Sequence, residues 1–317
     1  MSIDKFIKWG LKQRRFTECN YNALWGNLKT VRLGEGKATA LPADECEFYD
    51  VSLGNKCQTG KCNFCYVSSN PEGKYYEGIC ETWKKWMDTF WEVKVGNLIR
   101  TNKPFQIAIG SEGSADEHPE FVNFLKTVYE TNVVPNYTTN GVILSKFDDP
   151  TSKWYKQAND IIEATRLYVG GVAVSFGNKA LRKYAEKAVK VLIEKCNTNV
   201  NIHHIISTKE SVNEFVEEWL KYGDEILYHV LLPLMPAGRS TKGVEDGVFE
   251  YLEEVIEKNN IKNVAFGAHF IKNLRESKIK TWLYDEESFS KNIILEKDCV
   301  KITPSSFDLN PIKIIKL

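Results

Sequence analysis

The 317-residue chain carries no net charge: 42 lysines and arginines balance 42 aspartates and glutamates. Without a field of one sign, nothing in the composition advertises a nucleic acid or a membrane surface as partner. No apolar run approaches the roughly 20 residues that a membrane helix needs. The first residues, MSIDKFIKWGLKQRRF, lack the long apolar core of a signal peptide. The expectation is a cytoplasmic protein, and in that compartment cysteines tend to stay reduced. There is no Pro- or Ser-rich linker, no low-complexity segment and no short internal repeat. A Ser/His/Asp signature and a phosphate-binding P-loop are also missing.

What is present suits a folded enzyme-sized core. Apolar residues make up 43% and aromatics 12% of the chain, enough to bury a substantial interior and to exclude disorder. Short apolar runs alternate with longer amphipathic ones. Strands are expected near residues 47–53, 105–110, 133–139, 167–176, 200–207, 226–234 and 263–270. Between them, helices are expected near residues 77–95, 119–129, 152–164, 179–194, 212–222 and 244–258. The first helix carries Trp83, Trp86, Met87, Phe90 and Trp91 at helical spacing, a stripe that reads as core packing. Strands separated by helices argue for βαβ units and a parallel sheet, and repeated right-handed crossovers curl such a sheet toward a barrel. The expected fold class is α/β: a partial (β/α)6 TIM-type barrel with parallel strands, plus N-terminal and small C-terminal extensions. The expected boundaries are 1–45 for an N-terminal extension, 46–275 for the core and 276–317 for a C-terminal extension of two or three strands that caps the barrel.

Eight cysteines are present, and three of them, Cys57, Cys62 and Cys65, lie in the stretch NKCQTGKCNFCYVSS. The other five (Cys19, Cys46, Cys80, Cys196 and Cys299) are scattered singly and read as small buried hydrophobes. The cluster follows the first barrel-type strand, and in α/β barrels the loops at the C-terminal strand ends build the active site. Three thiolates on one loop suit an iron–sulfur cluster that keeps one iron open to a small ligand. The competing reading is a zinc site completed by Cys46, although paired C-x2-C knuckles are absent.

The segment CNFC resembles the end of the radical SAM signature, C-x3-C-x-aromatic-C. That resemblance implies that Cys57, Cys62 and Cys65 hold a [4Fe–4S] cluster, that S-adenosylmethionine (SAM) chelates its open iron, and that Phe64 lies near the adenine. The chain departs from the signature by one residue, since Gln58 to Lys61 put four residues between the first two cysteines. Gly60 within that stretch has the backbone freedom to absorb the insertion. Further segments resemble the same family in the same order. Gly110, Ser111 and Glu112 match the strand-two GGE segment, which implies binding of the methionine amino group; Gly113 and Ser114 replace its Pro-Thr. HPEF, from His118 to Phe121, resembles the family's helix start, with Pro119 suited to the first helical position and His118 read as a local structural residue. The TNG of residues 139–141 implies that Asn140 approaches SAM, while Thr139 suits an ordinary Asn-Gly turn as well. Ser175 matches the strand-four position that hydrogen-bonds SAM, without the usual Asp after it.

Two other features stay open. His203 and His204 are adjacent on a strand and face opposite ways, so one at most lines the barrel; a satisfied core histidine suits either. Arg239, in a P-x-GR segment, offers a planar fork to a substrate carboxylate or phosphate, or else is a surface arginine. The resemblance covers about residues 47–270 and points to the branch that often carries a SPASM/twitch-like C-terminal extension, here without its cysteines. It implies reductive cleavage of SAM and hydrogen abstraction from a substrate, with a peptide or protein side chain first. A small molecule or nucleotide precursor comes second, and RNA is disfavoured by the neutral charge. An electron donor such as flavodoxin or ferredoxin is implied. A zinc- or cluster-stabilised binding protein is the non-catalytic alternative. No catalytic residue beyond the cluster and SAM site is singled out.

Overall fold

A computed structural model describes residues 30–33, 48–59, 62–95, 98–101, 103–104, 106–196, 198–270, 273–274, 277–279, 281–282 and 291–317. Cys19, Cys46, Gly60, Lys61 and most of the expected N-terminal extension lie outside the described residues.

In chain order the elements are β1 (Thr30–Leu33), β2 (Phe48–Ser52), α1 (Ile79–Met87), β3 (Glu92–Val95), β4 (Leu98–Thr101), β5 (Gln106–Ile109), α2 (Phe121–Glu130), β6 (Val134–Thr139), α3 (Tyr155–Tyr168), β7 (Gly171–Ser175), α4 (Arg182–Val191), β8 (Asn199–Ile206), α5 (Lys209–Tyr222), β9 (Tyr228–Pro233), α6 (Val248–Lys258), β10 (Val264–Gly267), β11 (Thr281–Trp282), β12 (Lys291–Glu296), β13 (Cys299–Thr303) and β14 (Lys313–Lys316). All seven expected barrel strands are present, as β2 and β5 to β10, each parallel to the next. They curl into the parallel-stranded partial barrel. The sheet of 12 strands ends at β11 on one side and β14 on the other, so it is an open barrel among the described residues. None of the described helices is long and apolar enough to cross a membrane.

The strands form where they do because side chains alternate between two environments. Along β8, Val200, Ile202, His204 and Ile206 are buried, while Asn201, His203 and Ile205 on the opposite face are half-buried. The first set packs against helices and the second faces the barrel interior. Helix α1 presents Ile79, Trp83, Trp86 and Met87 to the sheet, all at 1% exposure or less. Trp83 meets Phe124 of α2 edge-on at 5.8 Å between ring centres. Helix α5 starts at a capping box, in which the Thr208 hydroxyl accepts from Ser211 N–H and the Ser211 hydroxyl accepts from Thr208 N–H.

Several boundaries differ from expectation. The helix foreseen over 77–95 stops at Met87, and Trp91 is 48% exposed instead of extending the core stripe. The sequence EVKV alternates β-branched residues with charges, and it pairs as β3 with β4 in a separate hairpin. The strand foreseen from Leu167 begins at Gly171, because α3 continues to Tyr168 and Val169 N–H still bonds the Thr165 carbonyl. Pro119 is not the first helical residue. It sits in a turn closed by Phe121 N–H to the His118 carbonyl, and α2 opens after Glu120. Proline pre-sets the second position of such a turn as readily as a helix start. At the C-terminal end, β12 joins the main sheet parallel to β2, and β13 and β14 add antiparallel beyond it. At the other edge, β1 lies antiparallel to β10.

Candidate functional site

The cysteine loop leaves the C-terminal end of β2, at the barrel mouth. Its two arms are zipped by backbone bonds, Asn55 N–H to the Lys74 carbonyl at 3.1 Å and Cys57 N–H to the Asn70 carbonyl at 2.9 Å. A tight turn joins Cys62 and Cys65, with Cys65 N–H bonded to the Cys62 carbonyl at 3.3 Å. Further contacts that fix the loop come from other βα units and from the tail.

The strand-two segment supplies the platform. Gly113 has φ +67°, and a Cβ there would press on the Lys56 and Gly54 carbonyl oxygens, so only glycine admits this close approach. Its N–H donates to the Ser69 hydroxyl at 2.9 Å, and Ser114 N–H donates to the Lys56 carbonyl at 3.1 Å. The Tyr66 hydroxyl donates to the Ser111 carbonyl at 2.8 Å. Gly110 N–H bonds the Val51 carbonyl, which ties the segment back to β2. The Ser111 hydroxyl lies 2.7 Å from Ser52 Oγ and donates to Asn292 Oδ1 at 2.7 Å, so it belongs to a polar cluster joining β2 and β12.

Glu112 stands out on this platform. It is 6% exposed, and its Oε2 is buried without a hydrogen-bond partner. Burial raises its carboxyl above the ordinary range, an effect opposed by a hydrogen bond from Ser52. An unpartnered buried carboxylate oxygen is costly unless a cation or donor meets it. An ammonium group is one ligand chemistry that would satisfy it.

Asn140, after β6, donates from Nδ2 to Thr59 Oγ1 at 3.0 Å and to Ser114 Oγ at 3.3 Å. Thr59 Oγ1 in turn lies 3.2 Å from Cys57 Sγ. Thr139 turns the other way: its hydroxyl donates to Asp116 Oδ2 at 2.7 Å and accepts from Gly141 N–H. Ser175 ends β7, half-buried and in register with His203 of β8. The Phe64 ring packs over Gly177, where an added Cβ would lie 3.1 Å from the ring edge.

Arg239 is half-buried against the cysteine loop instead of standing free on the surface. Its Nε donates to the Cys62 carbonyl at 2.8 Å and its Nη1 to the Ser69 carbonyl at 2.8 Å, while its own N–H bonds the Cys65 carbonyl at 3.0 Å. A planar guanidinium suits two backbone carbonyls at fixed separation as well as it suits a carboxylate. Gly238 beside it has φ +61°, and any Cβ would collide with the Cys65 and Tyr66 carbonyl oxygens. The tail also reaches the loop, with the Phe307 ring centre 4.4 Å from that of Tyr66 and 4.8 Å from that of His269.

His118 is structural, as expected. Its Nε2 lies 2.8 Å from the Tyr76 carbonyl and its Nδ1 accepts from Glu120 N–H, which fixes the proton on Nε2. His203 faces the barrel interior; His204 points to the helix layer, where its Nε2 lies 3.0 Å from Nδ1 of His229.

Two contributors, and the loop contacts of a third, escaped sequence reasoning. Asn178 donates from Nδ2 to Cys62 Sγ at 3.1 Å. Glu117, 4% exposed, accepts from Gln58 N–H at 2.9 Å; burial pushes its carboxyl up to about 7 against that bond, with Asp116 adding to the rise. Arg239 is singled out in the sequence, but its two bonds to loop carbonyls are not foreseen there. Neither Asn178 nor Glu117 has a local signature for its contact, since each spans more than 50 residues of chain.

Chemically, the loop offers three soft sulfur ligands and a neighbouring unpaired carboxylate, a donor set that suits iron–sulfur ligation with an amine-bearing ligand beside it. The thiols are not pre-gathered: among the described residues, no three His, Cys, Asp or Glu side chains form a group that could hold a metal ion. Burial pushes the Cys57 thiol up to about 11, opposed by the Thr59 hydroxyl and reinforced by Glu117. A positive metal centre is what would hold this thiol deprotonated.

No protein-family model matches the sequence, and no curated protein matches it. Solved structures do match the fold. The crystal structure of Streptococcus suis SuiB bound to S-adenosylmethionine has a TM-score of 0.53 at 14% identity, over 82% of this chain and 60% of that one. SuiB bound to the precursor peptide SuiA has a TM-score of 0.54 at 14% identity, over 83% and 60%. The chain therefore shares the parallel-stranded partial barrel of SuiB and spans about 60% of its length.

Proposed function

We propose that this protein is a radical SAM enzyme. In this reading Cys57, Cys62 and Cys65 hold a [4Fe–4S] cluster, Gly110, Ser111 and Glu112 form the strand-two SAM-binding segment, and the substrate is a peptide or protein side chain. The observation that carries it is the cysteine loop itself: three sulfur ligands at a barrel mouth, braced by four βα units, beside the unpaired Oε2 of Glu112. Bound there, a cluster supplies the electron for reductive cleavage of SAM and hydrogen abstraction from the substrate.

The chain's own residues orient and shield. Glu112 Oε2 accepts from the methionine ammonium, which offsets the carboxylate's desolvation. Phe64, seated on Gly177, presents its ring to the adenine. Ser175 offers a hydroxyl to the ribose or the methionine carboxylate. Asn140 acts through Thr59 to steady the first cysteine. The barrel wall shields the reactive site from water. The electron comes from a donor such as flavodoxin or ferredoxin. A peptide substrate is supported by the precursor peptide bound to SuiB, a protein of the same fold. The test is anaerobic incubation with SAM and dithionite. Appearance of 5′-deoxyadenosine is the expected result. Protein that takes up stoichiometric zinc and no iron after anaerobic reconstitution overturns the reading and leaves a zinc-stabilised binding protein.

A further inference from the structure

We propose that Asn178 sets the reduction potential of the cluster by donating its side-chain N–H to the sulfur of Cys62. The inference rests on the reading of the cysteine loop as a cluster site and adds a residue that no family motif brought to it.

The geometry has three parts. Asn178 Nδ2 is 3.1 Å from Cys62 Sγ, within hydrogen-bonding range for sulfur. The amide orientation is settled by its other end, because Asn178 Oδ1 accepts from Ala180 N–H at 3.0 Å and only the NH2 end is left to face the sulfur. The residue is also held by a rigid support. Phe176 N–H bonds the His203 carbonyl across to β8, and Arg182 Nη2 donates to the Phe176 carbonyl, so the strand end carrying Asn178 is braced on both sides.

The loop does not need this contact to fold. Its backbone is already fixed by Arg239, by Gly113 and by Asn55 and Cys57. What the Asn178 contact touches is the sulfur, the atom whose electron density a cluster shares. A donor N–H aimed at a ligand sulfur favours the more negative, reduced state and raises the potential. The arrangement is uneven over the ligands. At Cys57 the neighbour is the Thr59 hydroxyl; since Thr59 accepts from Asn140, its own hydrogen is left for the sulfur. Cys62 instead receives a fixed amide from across the barrel mouth.

The experiment uses the full chain, reconstituted anaerobically with iron and sulfide, and follows the cluster by electron paramagnetic resonance during a dithionite titration. The parent is compared with Asn178→Ser and Asn178→Asp. The aspartate retains an oxygen to accept from Ala180 N–H, so the turn survives, but it replaces the donor with a negative charge. Both variants should bind as much iron as the parent and shift the midpoint to more negative potential, aspartate further than serine. Midpoints equal to the parent's in both variants overturn the proposal. Loss of iron from Asn178→Ser overturns it too, because the residue would then serve assembly instead of potential. A parent chain that takes up no iron defeats the cluster reading and this inference together, whereas an iron-loaded parent with unmoved variants defeats the inference alone.

Discussion

Cys62 is held through both its sulfur and its backbone. Its sulfur faces Asn178, and its carbonyl accepts from both Cys65 N–H and the Arg239 guanidinium. Truncation to alanine leaves those backbone bonds in place but removes a ligand that no described neighbour replaces. We expect Cys62→Ala to fold and to take up no [4Fe–4S] cluster, as read by iron content and absorbance after anaerobic reconstitution; a full complement of iron would exclude the assignment. Glu112 makes a different prediction. Glu112→Gln removes the charge but keeps the volume, so iron content should be unchanged. SAM affinity should fall about 10- to 100-fold, the equivalent of losing a charge-assisted hydrogen bond of roughly 1.5–3 kcal/mol. Calorimetric titration of the reconstituted protein checks this, and equal affinities would remove Glu112 from the SAM site.

Among the elements, the segment after β9 and the helix α1 carry distinct loads. The turn at Gly238 presses its Cα against the backbone of the cysteine loop, which lets Arg239 reach two loop carbonyls. Gly238→Ala introduces both a strained left-handed conformation and a collision, together costing on the order of 1–3 kcal/mol. The cost should fall on the loop. We expect a lowered melting temperature together with faster loss of iron to a chelator; unchanged iron release would mean that the loop does not depend on this turn. Helix α1 acts on the fold and not on the site. Trp83 is fully buried, meets Trp86 and Phe124 edge-on, and donates from Nε1 to Thr131 Oγ1 at 2.8 Å. Trp83→Ala should cost about 3–5 kcal/mol in chemical denaturation.

Taken whole, the barrel hides a pair of histidines between sheet and helices. His204 and His229 stack at 5.3 Å between ring centres, close to Phe215 and Phe176, with Arg182 on the neighbouring helix bound to Glu218. Burial pushes His229 down to about 4, and burial together with His229 and Arg182 holds His204 well below the ordinary value of 6.5. Both rings are therefore neutral in the folded protein, while the unfolded chain takes up protons below about 6.5. Stability is full above that pH and declines as the pH falls from 6.5 toward 4. For His229 alone the loss is on the order of 3 kcal/mol. Urea denaturation of the metal-free protein at a series of pH values should show this slope, and His229→Phe should flatten it. A variant that keeps the parent's slope would place the proton uptake elsewhere.

The parts of the molecule readable from the linear chain are those coded within a few neighbouring residues. Short apolar runs between helical stretches marked the seven parallel strands, helical spacing marked the Trp83 stripe, and the crowding of Cys57, Cys62 and Cys65 marked the loop that carries chemistry. Local rules also misled where two short-range signals competed, as at residues 92–95, where alternation outweighed the aromatic stripe, and at Pro119, where a turn outweighed a helix start. Contacts between distant segments carried no such mark. Arg239 reaching back to Cys62, Asn178 meeting its sulfur, Glu117 receiving Gln58, and β12 pairing with β2 all depend on how the sheet curls. Curvature is a sum over every strand pair, so the partners of a given side chain are settled by the assembled barrel and by no short stretch of residues within it.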